Sequence, residues 1–277
     1  MKKTLITALM AIASLTCVQT YAAETDAWPW DFPQSVPLDC QPGQWVLSCY
    51  TFYPSAVKDG EDLNKSTLIF YSEKIDEVGE SVSIISGKEM PNALIIPIAP
   101  NAKAKKGDIV LTWWQEGSGL QRAIVTDDKN PAEPKVDYLD MNYGTEDNPG
   151  FAQREANQQL KPNSFTVLRD GEWMPGAQVA ARVNGEWVKG TLIREYDGKV
   201  LVLGWGSQVK AYDKNVCRLV PFKEKLKKGD KVWGVFVDGY RSGYTVTKVD
   251  MKIGRVWVER NGSTDVMSIA DVTKVLD

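Results

Sequence analysis

The chain has 277 residues, 33 Lys and Arg against 36 Asp and Glu, a formal charge of −3, and no histidine. Without histidine it cannot build a serine–histidine or cysteine–histidine nucleophile pair or a histidine zinc site. Its mildly acidic balance disfavours polyanions, so no nucleic acid is expected as a partner.

Residues 1–22 read as a signal peptide. Lys2 and Lys3 precede an apolar run from Leu5 to Ala13, and small residues surround Ala22. Lipidation at Cys17 is the rival reading, weakened by Thr16 and by the lack of a leucine three residues before the cysteine. Cleavage removes Lys2 and Lys3, leaving 31 basic residues against 36 acidic ones, a charge of 31 − 36 = −5. No later stretch has spanning length. The strongest, Leu94-Ile95-Ile96-Pro97-Ile98, is strand-sized and broken by proline, so no integral membrane segment is expected. The expectation is an exported protein, periplasmic or secreted. In that compartment Cys40 and Cys49, flanking Gln41-Pro42-Gly43, are expected to form a disulfide bond, leaving Cys217 a buried thiol.

Residues 23–44, with Trp28-Pro29-Trp30-Asp31-Phe32-Pro33, form an extended arm whose rings need cover, best supplied by the body of the protein. Residues 45–100 carry apolar runs at Trp45 to Leu47, Leu68 to Tyr71, Val82 to Ile85 and Leu94 to Ile98, which read as a β-rich N-terminal region. Their sequence leaves open whether they stand as a separate domain.

A module then recurs over 101–170, 173–222 and 226–277. It opens at Gly107-Asp108, Pro175-Gly176 and Gly229-Asp230. First strands follow at Ile109 to Trp113, Val179 to Val183 and Val232 to Val237. Second strands run through Ala123 to Val125, Thr191 to Ile193 and Tyr244 to Val246, and third strands through Val136 to Leu139, Val200 to Leu203 and Val256 to Val258. In the last two copies Val179 to Gly190 and Val232 to Gly243 are equal steps, as are Val202 to Val216 and Val258 to Val272. Four or five short strands in about fifty residues predict an all-β chain of small barrels. Through its Gly-Asp-x-Val openings and Val-x-Val third strands, residues 105–276 resemble the Tudor and SH3-like family of tandem barrels. The stretch from Lys106 to Trp114 also looks like uncharacterised exported bacterial proteins. In Tudor-type members aromatic rims hold cationic side chains, which for this chain is an analogy.

The first copy alone carries a polar insertion, 141–159, in which Phe151 to Leu160 suits a short helix. Asp137, Asp140, Asn142, Asp147 and Asn148 come nearest to a calcium loop, but their spacing fits none. Gly204-Trp205-Gly206-Ser207 reads as a hairpin turn rather than a phosphate loop. No cofactor and no metal are implied. The remaining signal is aromatic: Trp113, Trp114 and Tyr138 in the first copy, Trp187, Trp205 and Tyr212 in the second, Trp233, Tyr240 and Trp257 in the third. Two readings of these rings compete, exposed ligand-binding rims and rings that pack cores and seal barrel contacts. The rim reading makes the chain a non-enzymatic binding or scaffold protein of the cell envelope, recognising a peptide or protein partner. A cell-wall glycan binder is the alternative. A carboxylate hydrolase is more remote, since the acids sit mostly in turns (Asp127-Asp128, Asp197-Gly198, Asp238-Gly239) and bond local backbone there.

Overall fold

The computed structural model describes residues 28–145 and 148–276. The signal segment and Cys17 lie outside the described residues. Among the described residues the fold is all-β, with antiparallel sheets and two short helices. An N-terminal sheet contains β1 (Trp45–Ser48), β2 (Tyr71–Glu77), β3 (Val82–Ile85), β4 (Lys88–Pro91) and β5 (Ile95–Pro97) in the order β4-β3-β2-β1-β5. A second sheet is made by β6 (Ile109–Trp113), β7 (Leu120–Asp127), β8 (Lys135–Tyr138), β9 (Gln158–Gln159) and β10 (Thr166–Val167), ordered β10-β6-β7-β8-β9. The next ten strands are β11 (Gln178–Val183), β12 (Glu186–Tyr196), β13 (Lys199–Leu203), β14 (Val209–Asp213), β15 (Cys217–Val220), β16 (Lys231–Phe236), β17 (Gly239–Asp250), β18 (Arg255–Arg260), β19 (Ser263–Ser268) and β20 (Val272–Thr273). They form one sheet, because Trp187 and Val188 on β12 pair with Tyr240 and Gly239 on β17.

Each group of five strands is ordered fifth-first-second-third-fourth, and the N-terminal region follows the same rule as the three copies seen in the sequence. The hydrogen bonding repeats at residue level. The opening glycines Gly43, Gly107, Gly176 and Gly229 lie at φ +82°, +86°, +91° and +92°, a region only glycine enters without strain. Each donates, at 2.8 Å, to a second-strand carbonyl: Ile75, Val125, Leu192 and Val246. Those four residues donate back to the residue after the glycine, Gln44, Asp108, Ala177 and Asp230. Directly after each of them the second strand bulges against the third, between Ile75 and Glu77, Val125 and Asp127, Leu192 and Arg194, and Val246 and Lys248. A bulge there bends the strand so that one strand serves two halves of a curved sheet.

Three expectations need correction. The ladders stay open, without the backbone closure expected of barrels. In the last module side chains span the gap, where Met267 of β19 lies so close over Gly234 of β16 that an added Cβ would come within 2.9 Å of its sulfur. The equal steps in the last two copies also slip by one residue. Val179 pairs with Gly190, but β16 bulges between Val232 and Gly234, so Val232 pairs with Tyr244. Finally, Cys40, Cys49 and Cys217 are all free thiols. Cys40 precedes the turn at 41–44 and Cys49 follows a four-residue strand leading away from it, so a hairpin-like register would place Cys40 opposite residue 45 rather than Cys49.

Helix α1 (Phe52–Lys58) fills the connection between β1 and β2 and was not legible as a helix. Leu68 to Phe70, expected as strand, pairs in no ladder among the described residues: Leu68 and Phe70 are buried, and the Leu68 N–H reaches the Ser207 carbonyl instead. The arm does lie on the body: Trp30, Phe32 and Val36 are buried, and the Trp30 indole N–H donates to the Val209 carbonyl at 2.8 Å. The main apolar core runs through residues of all four modules, from Trp30 and Val46 through Ile109 and Ile193 to Val258.

Candidate functional site

The modules meet around a buried polar chain. Arg122 on β7 is fully buried and grips the Asp140 carboxylate through Nε and both its backbone and terminal N–H groups. Its other terminal nitrogen donates to Gln178 Oε1 on β11 at 2.6 Å, and the Gln178 amide donates to the Tyr240 hydroxyl on β17 at 3.0 Å. That hydroxyl donates to the Ala270 carbonyl at 3.3 Å. Burial by itself would push the Asp140 carboxyl up, but the Arg122 guanidinium holds it below the ordinary carboxylate range. Burial pushes the Tyr240 hydroxyl strongly up, so it stays neutral. Nearby, Arg255 on β18 donates to the carbonyls of Tyr138, Leu139 and Met141, and Lys189 pairs with Asp271 at 2.6 Å. Each charged group of this junction has a partner, and together they fasten the modules to one another.

Beside it opens a cleft of about 370 Å³. One side is lined by Leu139 to Tyr143, where the chain leaves β8 and enters the insertion. The other is Asp265 to Ser268 of β19, and the rim is Val235, Phe236 and Val237. Phe236 and Val237 are 57% and 59% exposed. They stand at the β16–β17 turn, where Val237 has φ +59°, a conformation that is an outlier for a β-branched residue. The sister turn of the preceding module has Asn184 and Gly185, at φ +50° and +87°, the pair that such a turn favours. Val237 thus holds an apolar side chain in water at a conformational cost, beside a cleft.

The sequence-derived aromatics are distributed differently. Tyr138 and Tyr240 are wholly buried and Trp113 and Trp187 nearly so, which removes them as rims. Trp113 packs on Trp45 of the N-terminal sheet at 5.0 Å, Tyr138 donates to the Trp113 carbonyl, and Trp187 lies under the Arg182 guanidinium. Trp114 is half-buried, edge-on to Phe151 of the short helix α2 (Phe151–Arg154). Trp257 is half-buried between Tyr143 and Lys248, whose Nζ sits 4.1 Å from the ring centre. Tyr212 is half-buried against the core of its own module, and Trp233 against a cluster shared by the second and third copies. Only Trp205, 65% exposed in the turn between β13 and β14, offers a ring to solvent among these nine. The others are buried or half-buried, covered by residues of their own or of neighbouring modules.

The insertion is more than a solvated loop. It supplies β9, the fourth strand of its module, and α2 where a short helix was expected. Polar side chains near it have partners: the Asp137 carboxylate accepts the Asn157 N–H at 2.7 Å and the Asn142 amide oxygen accepts the Phe151 N–H at 2.9 Å. Among the described residues no three His, Cys, Asp or Glu side chains gather as metal ligands, and no helix is long and apolar enough to cross a membrane. Sequence reasoning missed Phe236 and Val237, which read as the end of a strand; the available signal was Val237-Asp238 in the turn position where the sister hairpin has Asn184-Gly185. No family model and no curated protein matches the chain.

Proposed function

We propose that this chain is a non-enzymatic, exported binding protein of the bacterial cell envelope, built from SH3-like modules, that takes a peptide segment of a protein partner into the cleft between the 139–143 segment and the third copy. The observation carrying this reading is the Phe236-Val237 tip, exposed and conformationally costly at the mouth of a cleft. Apolar residues held in that way serve contact better than stability. The repeated fifth-first-second-third-fourth strand order supports the SH3-like assignment, and the start of the chain supports export.

The test is retention. Immobilised mature protein is exposed to envelope protein extract and to purified cell wall, alongside a Phe236→Ser, Val237→Ser variant and a Trp205→Ala variant. Retention of extract proteins that the tip variant loses supports the reading. Retention of cell wall that only the Trp205 variant loses would favour the glycan alternative, for which the exposed indole is the one structural argument.

A further inference from the structure

The cleft borders a sheet edge of unusual openness. Among the described residues the four modules leave eight edge strands: β4, β5, β9, β10, β14, β15, β19 and β20. Edges invite pairing with other chains and are usually blunted by shortness, proline, charge or cover. Two residues each make up β9, β10 and β20. β5 is three residues long and ends in Pro97, and β4 carries Lys88 and Pro91. β15 has four residues including Arg218. β14 is covered, since its Val209 carbonyl is taken by Trp30 and its Lys210 ammonium reaches the Asn64 carbonyl. β19 alone is six residues long, Ser-Thr-Asp-Val-Met-Ser, with no lysine, arginine or proline and no ladder partner but β18.

The cleft runs along that free edge. Successive strand residues point to opposite faces, so the four consecutive residues Asp265 to Ser268 can all line one cleft only if it follows the edge of β19 rather than a face. Leu139 to Tyr143 line the same cleft, so an added strand there would lie against this segment as well as β19. Side-chain chemistry narrows the occupant. Asp140 is bound by Arg122, Asp271 by Lys189, and Arg255 is spent on three carbonyls. Of the charged groups lining the cleft, the exposed Asp265 carboxylate alone has neither a hydrogen-bond nor an ion-pair partner among the described residues. Phe236, Val237 and Met267 add apolar contacts to a lining that is otherwise more polar than apolar.

Resting on the docking reading above, we infer that the partner segment binds by strand addition: an extended peptide pairs its backbone with β19, sets an apolar side chain on Phe236 and Val237, and places a lysine or arginine against Asp265. Backbone pairing supplies affinity in such complexes and the alternate side chains supply selectivity.

The probe is a phage-displayed random dodecapeptide library panned on the full mature protein, with a Phe236→Ser, Asp265→Lys variant as counter-selection. Expected are peptides alternating β-branched or aromatic residues with polar ones and carrying one Lys or Arg in register. Synthetic versions should slow amide exchange at 263–268, lose at least tenfold in affinity on N-methylation of alternate backbone amides, and weaken at least fivefold against Asp265→Asn. Enriched peptides that tolerate N-methylation at every amide and leave 263–268 unprotected would overturn strand addition while leaving the cleft a peptide site. A library giving nothing above the counter-selected variant would overturn both.

Discussion

At the scale of single residues, the costly features are the buried ion pair and the left-handed valine. Removing one partner of a buried, hydrogen-bonded pair leaves the other charge without solvent or counterion. Arg122→Met should therefore cost about 3–5 kcal/mol in denaturant unfolding at neutral pH. The pH dependence gives a sharper check. The folded Asp140 carboxyl lies below its ordinary value, so its stabilisation is full above the unfolded pKa and is lost as pH falls through the folded one. In Arg122→Met burial dominates instead and the carboxyl must be protonated to stay inside, so the penalty should shrink on acidification toward pH 4. A penalty independent of pH would mean that Asp140 finds another cation. Val237→Asn tests the strain: asparagine tolerates positive φ, and the variant should gain about 1 kcal/mol. An unchanged or lowered melting temperature would show that the turn relaxes in solution.

At the scale of elements, the opening glycines make a ranked prediction. All four sit near φ +90°, where any side chain is strained, but their surroundings differ. A Cβ on Gly229 would meet open space, whereas one on Gly176 would come within 3.0 Å of the Leu111 side chain of the neighbouring module. Gly229→Ala should cost about 1 kcal/mol and Gly176→Ala clearly more. Equal losses in denaturant midpoint would place the whole cost in the backbone. These glycines also show what the sequence disclosed and what it hid. Period-two apolar runs and glycine steps made the last three modules visible. The N-terminal module escaped because α1 and a long connection separate β1 from β2, where copy two has a two-residue turn. Bulges stayed hidden too, since one extra residue in Val246-Thr247-Lys248 looks like any alternation. The site was the least legible part. Alternation says which residues share a face, but the cover over Trp113, Tyr138, Trp187 and Tyr240 comes from residues distant in sequence.

At the scale of the molecule, four modules of one strand order share a core instead of hanging as beads. Two arginines make the seams. Arg194 of the second copy donates to the Asn92 and Ile95 carbonyls of the N-terminal module, with burial bringing its guanidinium down to about 10, and Arg255 of the third copy does the same for Tyr138, Leu139 and Met141 of the first. Each seam thus joins a module to the one two places before it, while β12 and β17 join neighbours directly. A chain so fastened should unfold in a single transition, because opening one module strands buried carbonyls and apolar surface in another. Arg255→Lys keeps the charge but loses the fork that serves three carbonyls at once. It should lower one shared melting transition, and native-state amide exchange should slow or quicken together in β1, β6, β11 and β16 rather than in the third copy alone. Separate calorimetric transitions in the wild-type protein, or an exchange change confined to β16–β20, would show that the modules keep their own stabilities and that the common core is only contact between independent units.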